Sequence, residues 1–150
     1  GFLLLGPAAE WAQLYWSELD RLGKSREDHS VAGGYMWVHV SRDPKKRWKE
    51  VAPHWAYQQN LYTKWISGAG MANTYGIQEV EASQEALEAN SCFILEPDEA
   101  IAKIKGYIDA TGADHWYTWA VPPGMHPSWS EEHLELMATE VIPAFRAMKD

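Results

Sequence analysis

Residues 112–145 constrain the fold of this chain more than any other stretch, because they join a short apolar strand to a loop and a helix. Residues 116–121 lack polar alternation, which is typical of a strand in a parallel sheet covered on both faces. Pro122, Pro123 and Gly124 follow and predict a loop at the carboxyl end of that strand. Enzymes with parallel α/β sheets place their sites at this end. The stretch therefore predicts the last strand, a site loop and a closing helix of an α/β enzyme.

The first forty residues predict a strand–helix–strand unit. An apolar strand at 1–5 is followed by Gly6 and Pro7, which favour the start of a helix. That helix carries an apolar stripe at helical spacing and should end at Gly23. Residues 34–41 (GYMWVHVS) predict the second strand, with a right-handed connection between the two.

The middle and the end of the chain read mainly as helices. The predicted elements are helices at 44–51 and 53–66 separated or kinked at Pro53, a loop at 68–76, an acidic helix at 79–89, a short strand at 91–95, a helix at 97–111, and a final helix that Pro143 should kink. Helices that alternate with short strands predict an α/β fold with a parallel sheet.

Composition excludes several classes of function. A net charge of −8 argues against nucleic acid binding, because phosphates require a basic surface. The 46% of hydrophobic residues support one domain with a real core over residues 1–150. No run reaches the roughly 18 apolar residues of a membrane span, and a secretory leader is not recognisable. We therefore expect a cytoplasmic protein. The single Cys92 excludes an intramolecular disulfide and favours a small buried side chain.

Chemistry-bearing residues are sparse. None of the 6 histidines forms a His-x-x-x-His or His-x-His pair, so no metal site is predicted. His39 lies near the end of the second strand, where it would either transfer a proton or be a buried, hydrogen-bonded core histidine. Trp119 would either stack on a planar ring or pack in the core or an interface.

Several stretches together resemble the luciferase-like monooxygenase superfamily, in its C-terminal part. They are GFLLLGPAAEW, MWVHVSRDPKKRW, APHWAYQQNLYTKW, PDEAIAKIKGYID, DHWYTWAVPPGMHPSW and LELMATEVIPAFR. The resemblance implies a TIM-type (β/α)8 barrel that binds FMN, or in one branch a deazaflavin coenzyme. It also implies O₂ and a small organic substrate as reactants. The positions it places at the flavin pocket are Trp119, Pro122, Pro123 and Gly124.

Size sets this chain apart from a whole barrel, which needs about 250 residues and eight strands. Three clear strands and a weaker fourth predict a partial barrel, namely its last three or four strands with flanking helices. The chain also begins within an apolar strand, which favours a fragment. In the resembled family, most flavin-phosphate contacts come from earlier strands, so the resemblance implies that this chain supplies only one wall of the flavin pocket.

A partial barrel leaves strand edges and apolar faces without partners, and we therefore expect a homo-oligomer. Three interpretations follow. The chain is the C-terminal part of a flavin-dependent monooxygenase that is inactive alone, a homo-oligomeric α/β module that binds a small aromatic ligand, or an interaction protein whose Trp-rich surface binds a protein partner.

Overall fold

The computed structural model describes residues 2–4, 9–34, 36–70 and 78–148, and confirms a mixed α/β fold with small parallel sheets. The strands are β1 (Phe2–Leu4), β2 (Val31–Gly33), β3 (Trp37–Val40), β4 (Cys92–Leu95) and β5 (His115–Trp116). The helices are α1 (Ala9–Arg21), α2 (Pro44–Gly68), α3 (Gln84–Ala89), α4 (Pro97–Thr111), α5 (Ser128–Leu136) and α6 (Ile142–Ala147), with a π-helical segment at Met137–Val141 and a 3-10 turn at Arg26–Asp28. The predicted turn at Gly6 and Pro7, and most of the predicted loop at 68–76, lie outside the described residues. None of the described helices has the length and apolar character needed to cross a membrane.

The described strands form two parallel sheets, and the region of the strand predicted at 34–41 lies where one sheet ends and the other begins. One sheet has the order β1-β2-β5, and the other pairs β3 with β4. The division falls beside two glycines that large side chains approach closely. A Cβ atom at Gly33 would lie 2.1 Å from the Tyr107 hydroxyl, and one at Gly34 would lie 1.9 Å from the Tyr117 ring. The predicted strand is therefore wrong in its first residues, because the chain at Gly34 makes room for Tyr117 instead of continuing a ladder.

The strand predicted at 116–121 is also wrong beyond its first residue. β5 ends at Trp116. Two residues later, the Thr118 side chain makes the hydrogen bonds to β3 that the backbone of a paired strand would otherwise make. The Val38 N–H donates to Thr118 Oγ1 at 2.9 Å, and that hydroxyl donates to the Val38 carbonyl at 3.2 Å. Within the described strands, β5 pairs with β2 and not with β4, whereas consecutive strands of a barrel pair in chain order.

The β3–β4 sheet is covered on both faces, as a parallel pair requires. One face packs on α2 and α3 through Trp37, Trp48, Trp55, Leu87, Cys92 and Ile94. The other packs on α4 and the π-helical segment through Met36, Val38, Val40, Ile104 and Val141. The predicted alternation of these faces along β3 is confirmed for the described residues, and Tyr35 lies outside them. A third cluster joins α1 to β2.

The two internal prolines behave differently. Helix α2 continues through Pro53, so the predicted division into helices at 44–51 and 53–66 is wrong. Pro53 removes the donor for the Lys49 carbonyl, and both residues are exposed, so that carbonyl is on the solvent side of the helix, where water is available as a donor. Ahead of Pro143 the helix changes type instead. The Ile142 N–H donates to the Met137 carbonyl five residues back, which shifts the hydrogen-bond register just before the proline.

The elements predicted between residues 79 and 111 are all present in the structure. The strand at 91–95 is confirmed as β4 and the helix at 97–111 as α4, which ends at Gly112 with a φ of 66°. The acidic helix predicted at 79–89 is shorter. It begins after Ser83, whose hydroxyl accepts from the Ala86 N–H at 3.3 Å, and forms α3.

Candidate functional site

The predicted site loop at residues 119–124 is attached to helix α5 on one side and is exposed to solvent on the other. Pro122 is buried, whereas Pro123 and Gly124 are exposed and Trp119 keeps 45% of its surface. The Ser130 hydroxyl donates to the Ala120 carbonyl at 2.7 Å, which fastens the loop to α5. The four predicted pocket residues therefore lie on one short segment, with the Trp119 ring available to a ligand.

His54, on α2, contacts the same loop from the other side. Its Nδ1 lies 3.1 Å from the Pro123 carbonyl, so that nitrogen carries the proton and donates. Gly124 adopts a φ of 79°, and a Cβ atom there would lie 3.3 Å from His54 Nδ1. Glycine therefore serves both the turn and the approach of the imidazole. The ring of Trp129 lies between His54 and His126, with centroid distances of 6.1 and 6.3 Å.

A charged network occupies the carboxyl end of β3, where the chain passes into α2. Glu132, on α5, accepts from the Ser41 hydroxyl at 2.9 Å, from the Arg42 N–H at 3.0 Å and from Arg47 at 2.8 Å. Arg47, whose side chain is 11% exposed, also pairs with Glu50 at 2.7 Å. One carboxylate thus connects the end of β3, the first turn of α2 and helix α5.

The pKa of Glu132 reflects these partners. Burial by itself raises the pKa, but the Arg42 N–H, the Arg47 guanidinium and the Ser41 hydroxyl together outweigh burial. The net pKa lies below the ordinary value of 4.5, so Glu132 is ionised at neutral pH.

Two buried histidines lie beside this network. The rings of His39 and His133 stack with centroids 4.7 Å apart and an interplanar angle of 21°. His133 Nδ1 accepts from the Val40 N–H at 2.9 Å, which places its proton on Nε2. Burial lowers the pKa of His133 to about 4. Burial, reinforced by His133 and Arg47 and partly opposed by Glu132, lowers the pKa of His39 to about 3.

His39, the sequence candidate for proton transfer, is inaccessible in this arrangement. It has no exposed surface, and neither ring nitrogen makes a hydrogen bond of ordinary geometry with the described residues. The Trp129 backbone lies near enough only to favour the protonated ring slightly. His39 is therefore buried, as one sequence interpretation held, but it is not hydrogen-bonded as that interpretation required.

Sequence reasoning missed Glu132, Arg47 and His54 as parts of this region. Their contacts join residues that are 69 to 91 positions apart in the sequence, so local residue spacing does not predict them.

The side chains of Trp119 and Tyr117 are 45% and 42% exposed, so both rings are open to a planar ligand. A phosphate cradle is not evident in the same part of the described structure. Arg42 pairs with Glu140, and Arg47 pairs with Glu50 and Glu132, so both arginines are already neutralised. The described residues also contain no group of three or more His, Cys, Asp or Glu that could hold a metal ion. Among the described residues, the region therefore presents an exposed aromatic ring, and the two nearby arginines are held by carboxylates.

No protein-family model and no curated protein matches the sequence. Among solved structures, the fold is similar to a type II Baeyer-Villiger monooxygenase, the oxygenating constituent of 3,6-diketocamphane monooxygenase from the CAM plasmid of Pseudomonas putida, in complex with FMN. The TM-score is 0.61 at 22% identity, over 94% of this chain. The chain spans 41% of the length of that structure. At this identity the likeness shows a shared fold.

Proposed function

We propose that the chain is a C-terminal part of a flavin-dependent monooxygenase of the luciferase-like type, a single domain built from the last strands of a (β/α)8 barrel. The observation that carries the proposal is the similarity over 94% of the chain to an FMN-bound monooxygenase. The parallel strands and the loop at the end of β5 support it independently, because they form the kind of corner where α/β enzymes bind ligands.

In this proposal Trp119 and the loop at 122–124 form one wall of the flavin ring site. A flavin bound there would supply the activation of O₂ for oxidation of an organic substrate. The protein residues described here would limit water access and orient the ring, and His54 would fix the loop through the Pro123 carbonyl.

Replacing Trp119 tests the proposed wall. We expect W119A to weaken FMN binding by about 3- to 10-fold, because an offset ring stack contributes roughly 0.5–1.5 kcal/mol. The measurement is a flavin fluorescence titration of the purified chain, extended to millimolar FMN because binding to one wall is weak. A deazaflavin coenzyme in a parallel titration separates the two cofactor branches.

The control is W65A, since Trp65 on α2 is exposed to a similar degree and lies away from the loop. W65A should leave the titration unchanged. Equal quenching by the wild type, W119A and W65A would mean that FMN contacts exposed tryptophans at random, and the proposed wall would be abandoned.

A second candidate function is a self-associating α/β module. The stripe on α1 that sequence spacing predicted as apolar is largely solvent-facing, with Trp11 56% and Leu14 69% exposed. In the described sheets β1, β4 and β5 each have a partner strand on one edge only. Exposed apolar faces and open edges are features that a second copy of the chain would cover.

For this candidate we expect a light-scattering mass of twice the 17.0 kDa chain at micromolar concentration. L14E should shift the mass toward the monomer, because it places a carboxylate in the proposed apolar contact. A138E adds the same charge at an exposed alanine outside α1 and is the control. A monodisperse wild-type monomer would remove the oligomer from consideration.

A further inference from the structure

An open cavity lies at the amino end of the β3–β4 sheet, remote in the fold from the loop at 122–124. It has a volume of about 390 Å³ and lies between the starts of both strands and the second half of α4. Its wall is mostly apolar and is formed by Met36, Phe93, Ala102, Lys103, Gly106 and Tyr107, with Ser91 at one end. This volume is within the range of small-molecule sites, roughly 300–1,000 Å³.

The one charged group on this wall is available to a ligand. The Lys103 ammonium lies 3.9 Å from the centroid of the Phe93 ring, a cation–π distance that holds it at the rim. Among the described residues Lys103 makes no ion pair with a carboxylate, whereas Lys105, two positions along the same helix, pairs with Asp109 at 2.5 Å. A positioned ammonium beside an apolar cavity favours a ligand that has an apolar body and one negative charge.

Gly106 supplies a second and independent observation. It lies inside α4, where glycine is destabilising relative to alanine. Close packing does not demand it, because a Cβ atom at Gly106 would meet no heavy atom of the described protein within 4 Å. Instead, Gly106 lines the cavity, and the absence of a side chain there leaves the cavity open. By contrast, Gly33 and Gly34 are glycines that packing requires.

We propose that this cavity binds a small organic carboxylate with an apolar or aromatic body. The body lies against Met36, Phe93 and the open surface at Gly106, and the carboxylate binds the Lys103 ammonium at the rim. The class follows from an apolar wall that carries a single cation among its described residues, and from a volume of about 390 Å³, which suits a small molecule. This site is separate from the proposed flavin wall, so it stands or fails independently of the proposed function.

The test uses the whole chain and 4-phenylbutyrate as probe, with 4-phenylbutanamide as the uncharged analogue, by calorimetry. We expect 4-phenylbutyrate to bind, and its amide to bind about 5- to 10-fold more weakly. K103Q should reduce affinity for the acid by a similar factor and leave affinity for the amide unchanged. K105Q, on the same helix, should not alter either affinity, since its ammonium already has a partner.

Gly106 variants separate a ligand site from a structural gap. G106L should abolish binding of both probes while the chain stays folded, because its side chain enters the cavity. G106A should raise the melting temperature by about 2–4 °C and weaken binding of the acid. G68A, at the end of α2 where a Cβ also meets nothing, should leave binding unaffected.

Three results would overturn the proposal. They are the absence of saturable binding by 4-phenylbutyrate, an unchanged affinity in both K103Q and G106L, and a loss of self-association in G106L, which would make the cavity an interface between copies.

Discussion

Lowering the pH from 7 to 5 is expected to reduce the free energy of unfolding by about 4 kcal/mol through His39 and His133 alone. Both rings are neutral in the folded protein because burial opposes their charge, with pKa values of about 3 and about 4. In the unfolded chain each ring regains the ordinary pKa of 6.5 and binds a proton readily. Each histidine thus contributes about 2 kcal/mol over this interval.

The direction follows from proton binding in the two states. Above pH 6.5 both states are neutral at these rings, and stability does not depend on them. As the pH falls from 6.5 towards 4, both histidines become protonated in the unfolded chain but stay neutral in the folded chain, so the free energy of unfolding decreases. Below the folded pKa values the decline ends. Glu132 acts in a separate, lower window, since its folded pKa lies below 4.5 and its contribution is lost as the pH falls through that value.

Urea denaturation at pH 7, 6 and 5 with constant ionic strength measures this dependence. H39F replaces one ring with an apolar ring of similar shape and removes two buried nitrogens that lack partners. It should halve the loss between pH 7 and pH 5 without weakening the protein at pH 7. H126Q alters an exposed histidine that makes no ion pair with a carboxylate of the described residues, and it should preserve the full dependence. A wild-type slope in H39F would show that this pair does not govern acid sensitivity.

Replacing Glu132 with alanine is expected to destabilise the fold by about 3 kcal/mol. The substitution removes the acceptor for the Ser41 hydroxyl, the Arg42 N–H and Arg47 at once. Arg47 is then left nearly buried with Glu50 as its remaining partner. Breaking such a pair from one side costs more than the pair itself contributes, because a charge stays behind without its counter-charge. The partial exposure of Glu132 keeps the figure near the lower end of the range for buried pairs.

E131A is the matched control, because Glu131 is the preceding residue of α5 and is exposed. It should change the unfolding free energy by less than about 0.5 kcal/mol. E132Q retains an oxygen acceptor without the charge and should fall between the two. If E132A and E131A unfold at the same urea concentration, the network at the end of β3 contributes nothing to stability.

Local sequence was sufficient where an element depends on its own residues. The helix at α4 has proline at its start and Gly112 at its end, and apolar residues between them at core spacing. The faces of β3 follow directly from the alternation of side chains along a strand. These signals do not require knowledge of any distant contact, and the structure agrees with them.

Sequence reasoning failed where a distant residue decides the backbone. The break between β2 and β3 exists because Tyr117 packs against Gly34, over eighty positions away in the chain. Likewise, Thr118 replaces a strand residue only because Val38 lies beside it. A pattern within a few residues contains no record of such partners, so a continuous strand was the expected outcome in both places.

The site was predictable in part for the same reason. Trp119 and the loop at 122–124 follow a strand in sequence, and this adjacency alone locates them. Glu132 and His133 reach the end of β3 from a helix that begins about ninety residues later, and their role depends on tertiary packing. His39 was located correctly on its strand, yet only the packing of α5 over it determines that it is buried.

The bonds that complete β3 have a consequence for how the chain acquires its structure. Val38, Val40 and Ser41 obtain partners at sequence separations of 80, 93 and 91 residues. A large loop must close before any of these bonds can form, and loop closure of this kind makes folding slow. During synthesis, this edge of β3 therefore stays without its partners until the residues up to His133 have left the ribosome.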